Sequence, residues 1–407
     1  MPKVKSGAFY MLTIIFVVYL FDYADRKVIS ALFTSIEEDW NVTNAQLEML
    51  NGIVSLVIAI FVIPLSIIVD RWSRVKMISI MVFVWSLATL MCAFAENYTQ
   101  LLIFRGLTGF GEAAYAAAAI ALITKHFPSR HRAKHIGIYD AAAPIGSGVG
   151  IIVGGIIGAK YGWQAAFGWL AVPGLILSIL VLFIKDYHTI HIQSSVSLIR
   201  SVMQDALYLF KIPTLQYLYL AYGFVITVNT TMIDFLPKYL ETTYLIPKEK
   251  SGLLAGGLAV GVLFGAILGG VIADVWEKRN KHAKIYVSII STILSIICLL
   301  LALNASDLWT ALTFFGLFGL NTVAFLAPVS TMIQQVVKAR VRALAFGFNV
   351  LIMNFFVFAF SVLIGYISDF KGLTFALSLL SIFGICAVIL FYLARNSYYK
   401  DKSAVLE

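Results

Sequence analysis

Long apolar runs alternate with short polar segments along almost the whole chain. A membrane-spanning helix needs about 20 consecutive apolar residues, and twelve runs reach or approach that length. The expected spans are 8–33, 45–69, 77–95, 99–126, 134–159 and 164–185, followed by 213–240, 250–275, 284–303, 307–338, 342–369 and 372–395. The pattern therefore predicts an all-α polytopic membrane protein with twelve transmembrane helices.

The composition agrees with this interpretation. Of 407 residues, 60% are hydrophobic and 13% are charged, whereas about 25% of residues are charged in soluble domains. Such a chain lacks the polar surface that a water-exposed globule requires. The three cysteines lie in separate apolar runs, which favours buried free thiols over a disulfide framework or a metal site. No cofactor is expected.

The net charge of +9 is concentrated in alternate loops. The basic residues of these loops are Arg71, Arg74 and Lys76; Lys125, Arg130, Arg132 and Lys134; Lys278, Arg279, Lys281 and Lys284; and Lys338, Arg340 and Arg342. Basic loops lie on the cytoplasmic side of membrane proteins, so the distribution places both termini in the cytoplasm and argues against nucleic acid as a partner. The apolar run after the opening MPKVKSG is interpreted as a retained first helix, because it is long and lacks a clear cleavage site.

The spans fall into two sets of six around a polar linker. We expect a first six-helix bundle over 1–185, a cytoplasmic linker over 186–206, and a second bundle with a short cytoplasmic tail over 207–407. This arrangement suggests an internal duplication.

A short motif recurs in the two halves. The loop after the second span reads SIIVDRWSRVK, with Asp70, Arg71 and Arg74, and the loop after the eighth reads GGVIADVWEKRNK, with Asp274 and Arg279. In both, an aspartate at the cytoplasmic end of a helix precedes basic residues that can contact lipid headgroups. We expect these residues to form a cytoplasmic gate or loop motif.

The DRWSRVK stretch resembles the loop motif G-x-x-x-D-R-x-G-R-R/K of the major facilitator superfamily, with Ser66 where the first glycine belongs. The resemblance covers nearly the whole chain. It implies two six-helix bundles that rock around a central cavity and expose one site alternately to each side of the membrane.

Further motifs resemble the Spinster-like branch of this superfamily. They are DYADR at 22–26, RGLTGFGEAAY at 105–115 and DAAAPIGSGVG at 140–150. The organic-anion symporters share the DR pair and the R-x-x-x-G-x-G-E pattern, so that branch is the alternative. Asp22 departs from both branches, which usually carry asparagine there.

Ionisable residues inside the expected spans are notable, because at the centre of a span each costs roughly 2.5–3.5 kcal/mol on insertion scales. Eight of them are singled out as candidates for a function or a partner. They are Asp22, Asp25, Arg26, Lys27, Arg105, Glu112, Asp140 and Asp234. At ~1.5 Å per residue, Asp22 and Glu112 both lie ~21 Å from the cytoplasmic ends of their helices. Asp22 and Arg26 are also four residues apart, on one helix face.

These depths predict one buried cluster of three acids and two arginines. Asp22, Asp25 and Glu112 are the candidate proton-coupling residues, with Arg26 and Arg105 as their charge partners. A carboxylate that loses a neighbouring arginine tends to take up a proton, so a change of pairing could couple protonation to transport. The alternative is a structural role, in which the ion pairs only tie the helices together.

The other three charges are given different roles. Lys27 is expected to reach the outer headgroups. Asp234 is placed at the outer membrane interface. Asp140 lies ~9 Å from the cytoplasmic end of its helix and is expected to act as a gate or loop anchor.

The second half carries amides and aromatic rings in place of charge. Asn229, Asn321 and Asn354 fall about midway along their spans, among several phenylalanines. We expect these three asparagines and Tyr115 to line the substrate cavity, although hydrogen bonds between helices are the alternative for the amides. A charged half and an amide-rich, aromatic half suit an amphiphilic or carboxylate-bearing solute.

These features predict a secondary transporter that is monomeric, lies in the cell membrane and is coupled to protons, or alternatively to sodium. The Spinster-like resemblance implies a lysophospholipid or a sphingolipid-like amphiphile, and the organic-anion branch implies a sugar acid or another carboxylate. No G-x-x-x-x-G-K-[ST] motif is present, which excludes a P-loop ATP-driven pump. A membrane enzyme is the remote alternative, since H-E-x-x-H and G-x-S-x-G are also absent.

Overall fold

The computed structural model describes residues 6–127, 129–185, 204–338 and 341–406, and this part of the chain contains helices and no strands. The helices of the first half are α1 Ser6–Val28, α2 Phe33–Trp40, α3 Asn44–Arg71, α4 Arg74–Cys92, α5 Tyr98–Glu112, α6 Tyr115–His126, α7 Ser129–Asp140, α8 Ala142–Tyr161 and α9 Trp163–Val181. The remaining helices are α10 at 204–209, followed by α11 Pro213–Tyr244, α12 Lys248–Glu277, α13 Ala283–Leu303, α14 Leu308–Thr322, α15 Leu326–Gln335, α16 Arg342–Lys371, α17 Leu373–Ser378 and α18 Leu380–Leu406.

Twelve candidate membrane spans are found among the described residues, which confirms the predicted fold class. Spans 1 to 6 are Gly7–Trp40, Asn44–Ser66, Arg74–Cys92, Tyr98–His126, Lys134–Tyr161 and Trp163–Val181. Spans 7 to 12 are Pro213–Tyr244, Lys248–Glu277, Ala283–Leu303, Leu308–Gln335, Leu344–Lys371 and Leu373–Val405. These bounds agree with the predicted ones except at some ends.

The end of span 1 is one of the disagreements. The expected end at residue 33 is wrong, because the helix continues through a 3-10 turn, Ile29–Leu32, into α2 and ends at Trp40. The added turns read FTSIEEDW, whose polar residues interrupt the apolar pattern. They remain helical because one side of α2 is packed, with Phe33 and Ile36 fully buried.

Residue contacts divide the described chain into two compact units. The first takes in residues from 1–191 together with 233–260, and the second takes in residues from 192–232 and 261–407. The end of span 7 and the start of span 8 therefore pack with the first unit, although the chain order assigns them to the second half. Most of the predicted linker, 186–203, lies outside the described residues, and the predicted domain boundaries stay a prediction.

A seam of glycines fixes span 1 against span 5 in the first unit. Glycines at four-residue spacing on α8 lie against backbone carbonyl oxygens at the same spacing on α1. The pairs are Gly146 with Leu20, Gly150 with Ala24 and Gly154 with Val28. A Cβ atom at these glycines would lie 2.2, 2.1 and 2.7 Å from the facing oxygen, so only glycine permits this approach. The seam holds the charged part of span 1 at a fixed depth.

The second unit has its own apolar core. It is built from one face of α11, the short helix α15 and the middle of α18, with residues such as Leu215, Tyr219, Phe325, Ile333 and Phe391 almost fully buried. The hydroxyl group of Tyr219 donates a hydrogen bond to the carbonyl oxygen of Ala345, at 2.8 Å, and so joins spans 7 and 11.

Candidate functional site

The predicted charge cluster is assembled in the first unit, from span 1 and span 4. Asp22, Asp25 and Arg26 lie in the last two turns of α1, and Arg105 and Glu112 lie on α5. Four of the five are buried, with residue exposures of 1% for Asp22, 3% for Asp25, 0% for Arg105 and 3% for Glu112. The Arg26 side chain is 21% exposed. We call these five residues the central cluster.

Arg26 joins the two helices through its side chain. Its Nε atom lies 3.2 Å from Oδ1 of Asp22, one turn back on the same helix, and donates a hydrogen bond to it. The same nitrogen lies 2.8 Å from Oε2 of Glu112. A single guanidinium group therefore serves one carboxylate from each helix.

Glu112 lies at a break in span 4. It is the last residue of α5, and α6 begins only at Tyr115. The connecting Ala114 has φ −123° and ψ 6°, outside the helical region. The Glu112 carboxylate therefore lies where the regular pattern of helical backbone hydrogen bonds is interrupted.

Arg105 makes mainly backbone contacts. It donates three hydrogen bonds of 3.3 Å, to the carbonyl oxygens of Leu50, Asp25 and Arg26. Its Nη1 atom lies 3.9 Å from Oδ2 of Asp25, which is an ion pair without a hydrogen bond. The guanidinium group thus ties spans 1, 2 and 4 together and provides positive charge beside Asp25.

The central cluster contains three carboxylates and two guanidinium groups, so it carries one excess negative charge when every acid is ionised. Both carboxylate oxygens of Asp25 and both of Glu112 accept no hydrogen bond from any described residue. Burying an excess charge in a low-dielectric interior is costly, and one proton would neutralise the cluster. The arrangement is suited to binding and releasing a proton.

Tyr115 is enclosed by other side chains of the first unit. The residue is fully buried, and its hydroxyl group donates a hydrogen bond to the carbonyl oxygen of Ile15, at 2.6 Å. Its ring lies 5.5 Å from that of Trp85 and 5.9 Å from that of Tyr19, between centroids. Tyr115 therefore packs in the core of the first unit, and its assignment to the substrate cavity stays a prediction.

The sequence analysis missed the stacked pair formed by Tyr19 and Tyr139. Their rings are parallel within 8° and 4.3 Å apart, and Tyr139 is fully buried. Tyr19 lies three residues before Asp22, so the pair forms an aromatic wall beside the central cluster. The sequence shows both tyrosines but not that spans 1 and 5 meet there.

The amides of the second unit are buried to different degrees. Asn229 and Asn354 are 8% and 4% exposed, and Asn321 is half-buried. Asn321 and Asn354 each donate to a carbonyl one turn back in their own helix, Leu317 and Val350, which leaves their amide oxygens for other partners. The assignment of these three amides to the cavity stays a prediction.

Asn349 is a further buried amide that the sequence analysis missed. It lies on α16, is 1% exposed, and neither its oxygen nor its nitrogen has a hydrogen-bond partner among the described residues. The sequence does carry a signal for it, since an asparagine inside an apolar span is unusual.

Lys27 and Asp234 form an ion pair, which corrects the expectation for Lys27. Nζ of Lys27 lies 2.5 Å from Oδ1 of Asp234, and the hydroxyl group of Ser30 donates to the same oxygen at 2.9 Å. Asp234 is 1% exposed, and because Lys27 is bound to it, Lys27 does not extend to headgroups. The pair forms because the end of span 7 packs within the first unit.

The predicted cytoplasmic motif is described only in part. The backbones of Asp70 and Arg71 end α3, but their side chains lie outside the described part of the structure. Arg74 is half-buried at the start of α4, and Asp274 and Arg279 are exposed. Asp140, at the end of α7, is also exposed. Their gate or anchoring roles stay predictions.

Comparison with known proteins places this architecture in a family. Residues 15–350 match the family model of the Major Facilitator Superfamily. Protein spinster of Drosophila melanogaster is 28% identical over 187 residues, which cover 46% of this chain and 31% of that protein. The hexuronate transporter of Bacillus subtilis is 27% identical over 173 residues, which cover 42% of this chain and 41% of that protein.

A solved structure has the same fold over nearly the full length. It is a bacterial homolog of the human lysosomal transporter Spinster, in an inward-facing and unoccupied conformation, and it matches with a TM-score of 0.86, 20% identity and 98% coverage of both chains. The sequence matches, by contrast, span only 31% to 41% of the two curated relatives. The family model matches most of the chain, and the fold agrees with it. The chain therefore belongs to the Major Facilitator Superfamily.

Proposed function

We propose that this protein is a secondary active transporter that moves an organic solute by alternating access and couples this movement to protons. The observation that supports the proposal is the central cluster, with one excess buried negative charge and two carboxylates that accept no hydrogen bond from the described residues. Such a cluster is stable only if the excess charge is compensated. A proton that binds in one conformation and leaves in the other would provide this compensation once per cycle.

Arg26 is the residue of the central cluster that can most easily exchange one carboxylate partner for another. It is the least buried member of the central cluster and is shared between Asp22 and Glu112. If Arg26 moves away from Glu112, the carboxylate loses its charge partner and must take up a proton. Asp22 then retains Arg26 through the contact within one helix.

Sodium remains the alternative coupling ion, because carboxylate oxygens ligate either ion. Proteoliposomes can separate the two. We expect solute accumulation to follow an imposed pH gradient in the absence of sodium and to stop when an uncoupler collapses that gradient. Accumulation that persists with the uncoupler and follows a sodium gradient would replace the proton with sodium.

For the solute we propose an amphiphile such as a lysophospholipid or a sphingolipid-like molecule. The second unit contains a group of phenylalanines in contact, with ring centroids 4.9 to 5.8 Å apart, all of them only partly buried. These residues are Phe224, Phe356, Phe360 and Phe383. They offer apolar surface suited to an acyl chain.

The alternative solute is a small organic anion, which is favoured by the similarity to a transporter named for hexuronate. A thermal-shift series on the purified protein, with lysophosphatidylcholine, sphingosine phosphate, glucuronate and nicotinate, distinguishes the two classes. We expect stabilisation by the lipids at concentrations below micelle formation and none by the small anions. The opposite order would assign the protein to the organic-anion transporters.

The positive-inside distribution further supports a cell-membrane location with both termini in the cytoplasm. An epitope tag at the C-terminus should be accessible only after the cells are permeabilised.

A further inference from the structure

A second group of buried charges lies in the first unit, apart from the central cluster. It consists of the Lys27–Asp234 ion pair and of Glu48 in the second turn of α3. Glu48 is 1% exposed, and neither of its carboxylate oxygens accepts a hydrogen bond from any described residue. Its charge interacts with those of Asp234 and Lys27, so the three side chains form one electrostatic unit. We call them the second charge group.

The second charge group is distinct from the central cluster although the two are joined through span 1. Lys27 directly follows Arg26, and neighbouring residues of a helix point about 100° apart, since one turn takes about 3.6 residues. Arg26 therefore serves Asp22 and Glu112, whereas Lys27 serves Asp234, on span 7. The two cations address carboxylates on different helices.

Other charged groups near this contact have partners of their own. Lys238 lies 2.6 Å from Oε2 of Glu37 and donates to the side-chain oxygen of Asn44 at 2.5 Å. Glu241 accepts hydrogen bonds from Thr34, at 2.5 Å, and from Ser251. The guanidinium of Arg105 reaches α3 only at the Leu50 carbonyl and is otherwise bound to span 1. Among the described residues, Lys27 is thus the cation that pairs with the second charge group.

We propose that Glu48, Lys27 and Asp234 form a second proton-binding site, which controls the contact between span 1 and the end of span 7. With Glu48 ionised, two buried carboxylates share one ammonium group, and one negative charge is uncompensated. Asp234 is then repelled by Glu48, which also competes for Lys27. With a proton on Glu48, the group is neutral and the Lys27–Asp234 pair is undisturbed.

The site thus favours the closed contact when it is protonated and weakens it when the proton leaves. Exposed ion pairs at the same contact, such as Lys248 with Glu38, are screened by water and contribute little. The buried group dominates because the cost of an unpaired charge is greatest where water is excluded.

The contact can be followed by the distance between two spin labels, attached at Glu38→Cys and Leu245→Cys in a background with Cys92, Cys298 and Cys386 replaced by alanine. Both label positions are exposed in the structure. We expect the parent protein to show one short distance at acidic pH and a growing population of longer distances at alkaline pH. The measurement needs no substrate and no transport, so its outcome is independent of the proposed function.

Two variants give opposite results if the proposal is correct. Glu48→Gln keeps the group neutral with Asp234 paired, so the short distance persists at every pH. Asp234→Asn gives Lys27 to Glu48 and removes the link to span 7, so the long distance dominates at every pH. The second variant keeps the test decisive if the first does not fold.

The matched control is Glu37→Gln, the same chemical change at a half-exposed carboxylate of the same contact. It should keep the parent's pH response. The proposal is overturned if Glu48→Gln or Asp234→Asn retains that response, or if Glu112→Gln abolishes it while Glu48→Gln does not, which would assign it to the central cluster.

Discussion

Spans 4 and 10 share a backbone plan and differ in chemistry. Each opens with a 15-residue helix, α5 or α14, whose first turn is capped by the side chain before it, Asn97 or Asp307. Each helix then breaks, and a shorter helix completes the span. The two helices begin and end at matching positions in the two halves of the chain.

Their sequences align without a gap over the last two turns before the break. Span 4 reads RGLTGFGE and span 10 reads FGLFGLNT. The glycines Gly106 and Gly109 recur as Gly316 and Gly319, whereas the charged residues do not recur. Arg105 is matched by Phe315, and Glu112 by Thr322, and all four are buried.

Some features of these spans are required by the fold, and others are required only by the chemistry of the central cluster. The caps, the close helix packing and the break occur in both spans, so they belong to the architecture. The buried guanidinium and the carboxylate at the break occur only in span 4, where they meet Asp25 and Arg26. The broken-helix arrangement therefore forms in span 10 without the charged residues that span 4 carries.

The largest effect on stability is expected when Arg105 of span 4 is replaced by phenylalanine, the residue at the matching position of span 10. Arg105→Phe removes the donor of three backbone hydrogen bonds and leaves Asp25 buried without a cation. Breaking a buried ion pair in this way costs about 3–5 kcal/mol. We expect a large drop in the thermal unfolding midpoint of the purified protein.

Arg105→Phe combined with Asp25→Asn is the control for that experiment. It should recover part of the lost stability, because no uncompensated charge is then left. A single Arg105→Phe variant as stable as the parent would show that Arg105 is dispensable for the fold.

A smaller and unequal effect is expected at the matched glycines. A Cβ atom at Gly109 would lie 2.6 Å from the backbone oxygen of Val54, whereas one at Gly319 would lie 3.2 Å from a methyl group of Val262. A side chain can yield and a helix backbone cannot. Gly109→Ala should therefore cost about 1–3 kcal/mol, the usual range for overpacking, and Gly319→Ala clearly less, in parallel unfolding experiments. Equal losses would contradict the difference in packing.

The smallest effect concerns the caps. Hydrogen bonds from the hydroxyl group and the N–H group of Thr310 lower the pKa of the Asp307 carboxyl. Its contribution to stability is thus present above the pKa of the unfolded chain and is lost as the pH falls through the folded-state value. Asp307→Asn copies the cap of span 4 and should remove this acid-dependent part.

Unfolding midpoints of the parent and Asp307→Asn should accordingly be similar at neutral pH. They should differ in slope at acidic pH, where only the parent loses the contribution of this cap. If the unfolding midpoints of the two proteins changed in parallel over the whole pH range, the proposed contribution of the Asp307 cap would be contradicted.

The sequence predicted the spans well because hydrophobicity and length alone decide which segments enter a bilayer. It also placed Asp22 and Glu112 at one depth, and the structure has both bound to Arg26. Depth follows from the fixed rise of a helix, so this part of the site could be read from residue numbers.

Rotation about the helix axis could not be read in the same way. Lys27 was assigned to the headgroups because nothing in the sequence showed that Asp234 packs against span 1. Glu48 was overlooked because NAQLEML resembles the polar start of a span, and only the tertiary structure shows the carboxylate enclosed. Tyr115 shows the same limit, since a motif residue that faces the core looks the same in sequence as one that faces a cavity.

The central claim is that the excess negative charge of the central cluster, on spans 1 and 4, couples proton movement to transport. It is tested most directly in proteoliposomes by two readouts on the same variants, Glu112→Gln and Asp25→Asn, with the exposed Glu96→Gln as control. One readout is the accumulation of labelled lysophosphatidylcholine driven by a pH gradient, and the other is its exchange without a gradient.

We predict that Glu112→Gln and Asp25→Asn lose gradient-driven accumulation by about tenfold or more, equivalent to at least about 1.4 kcal/mol of coupling, and keep exchange, while Glu96→Gln keeps both. If both variants accumulate the lipid as the parent does, the central cluster is structural and the account is wrong.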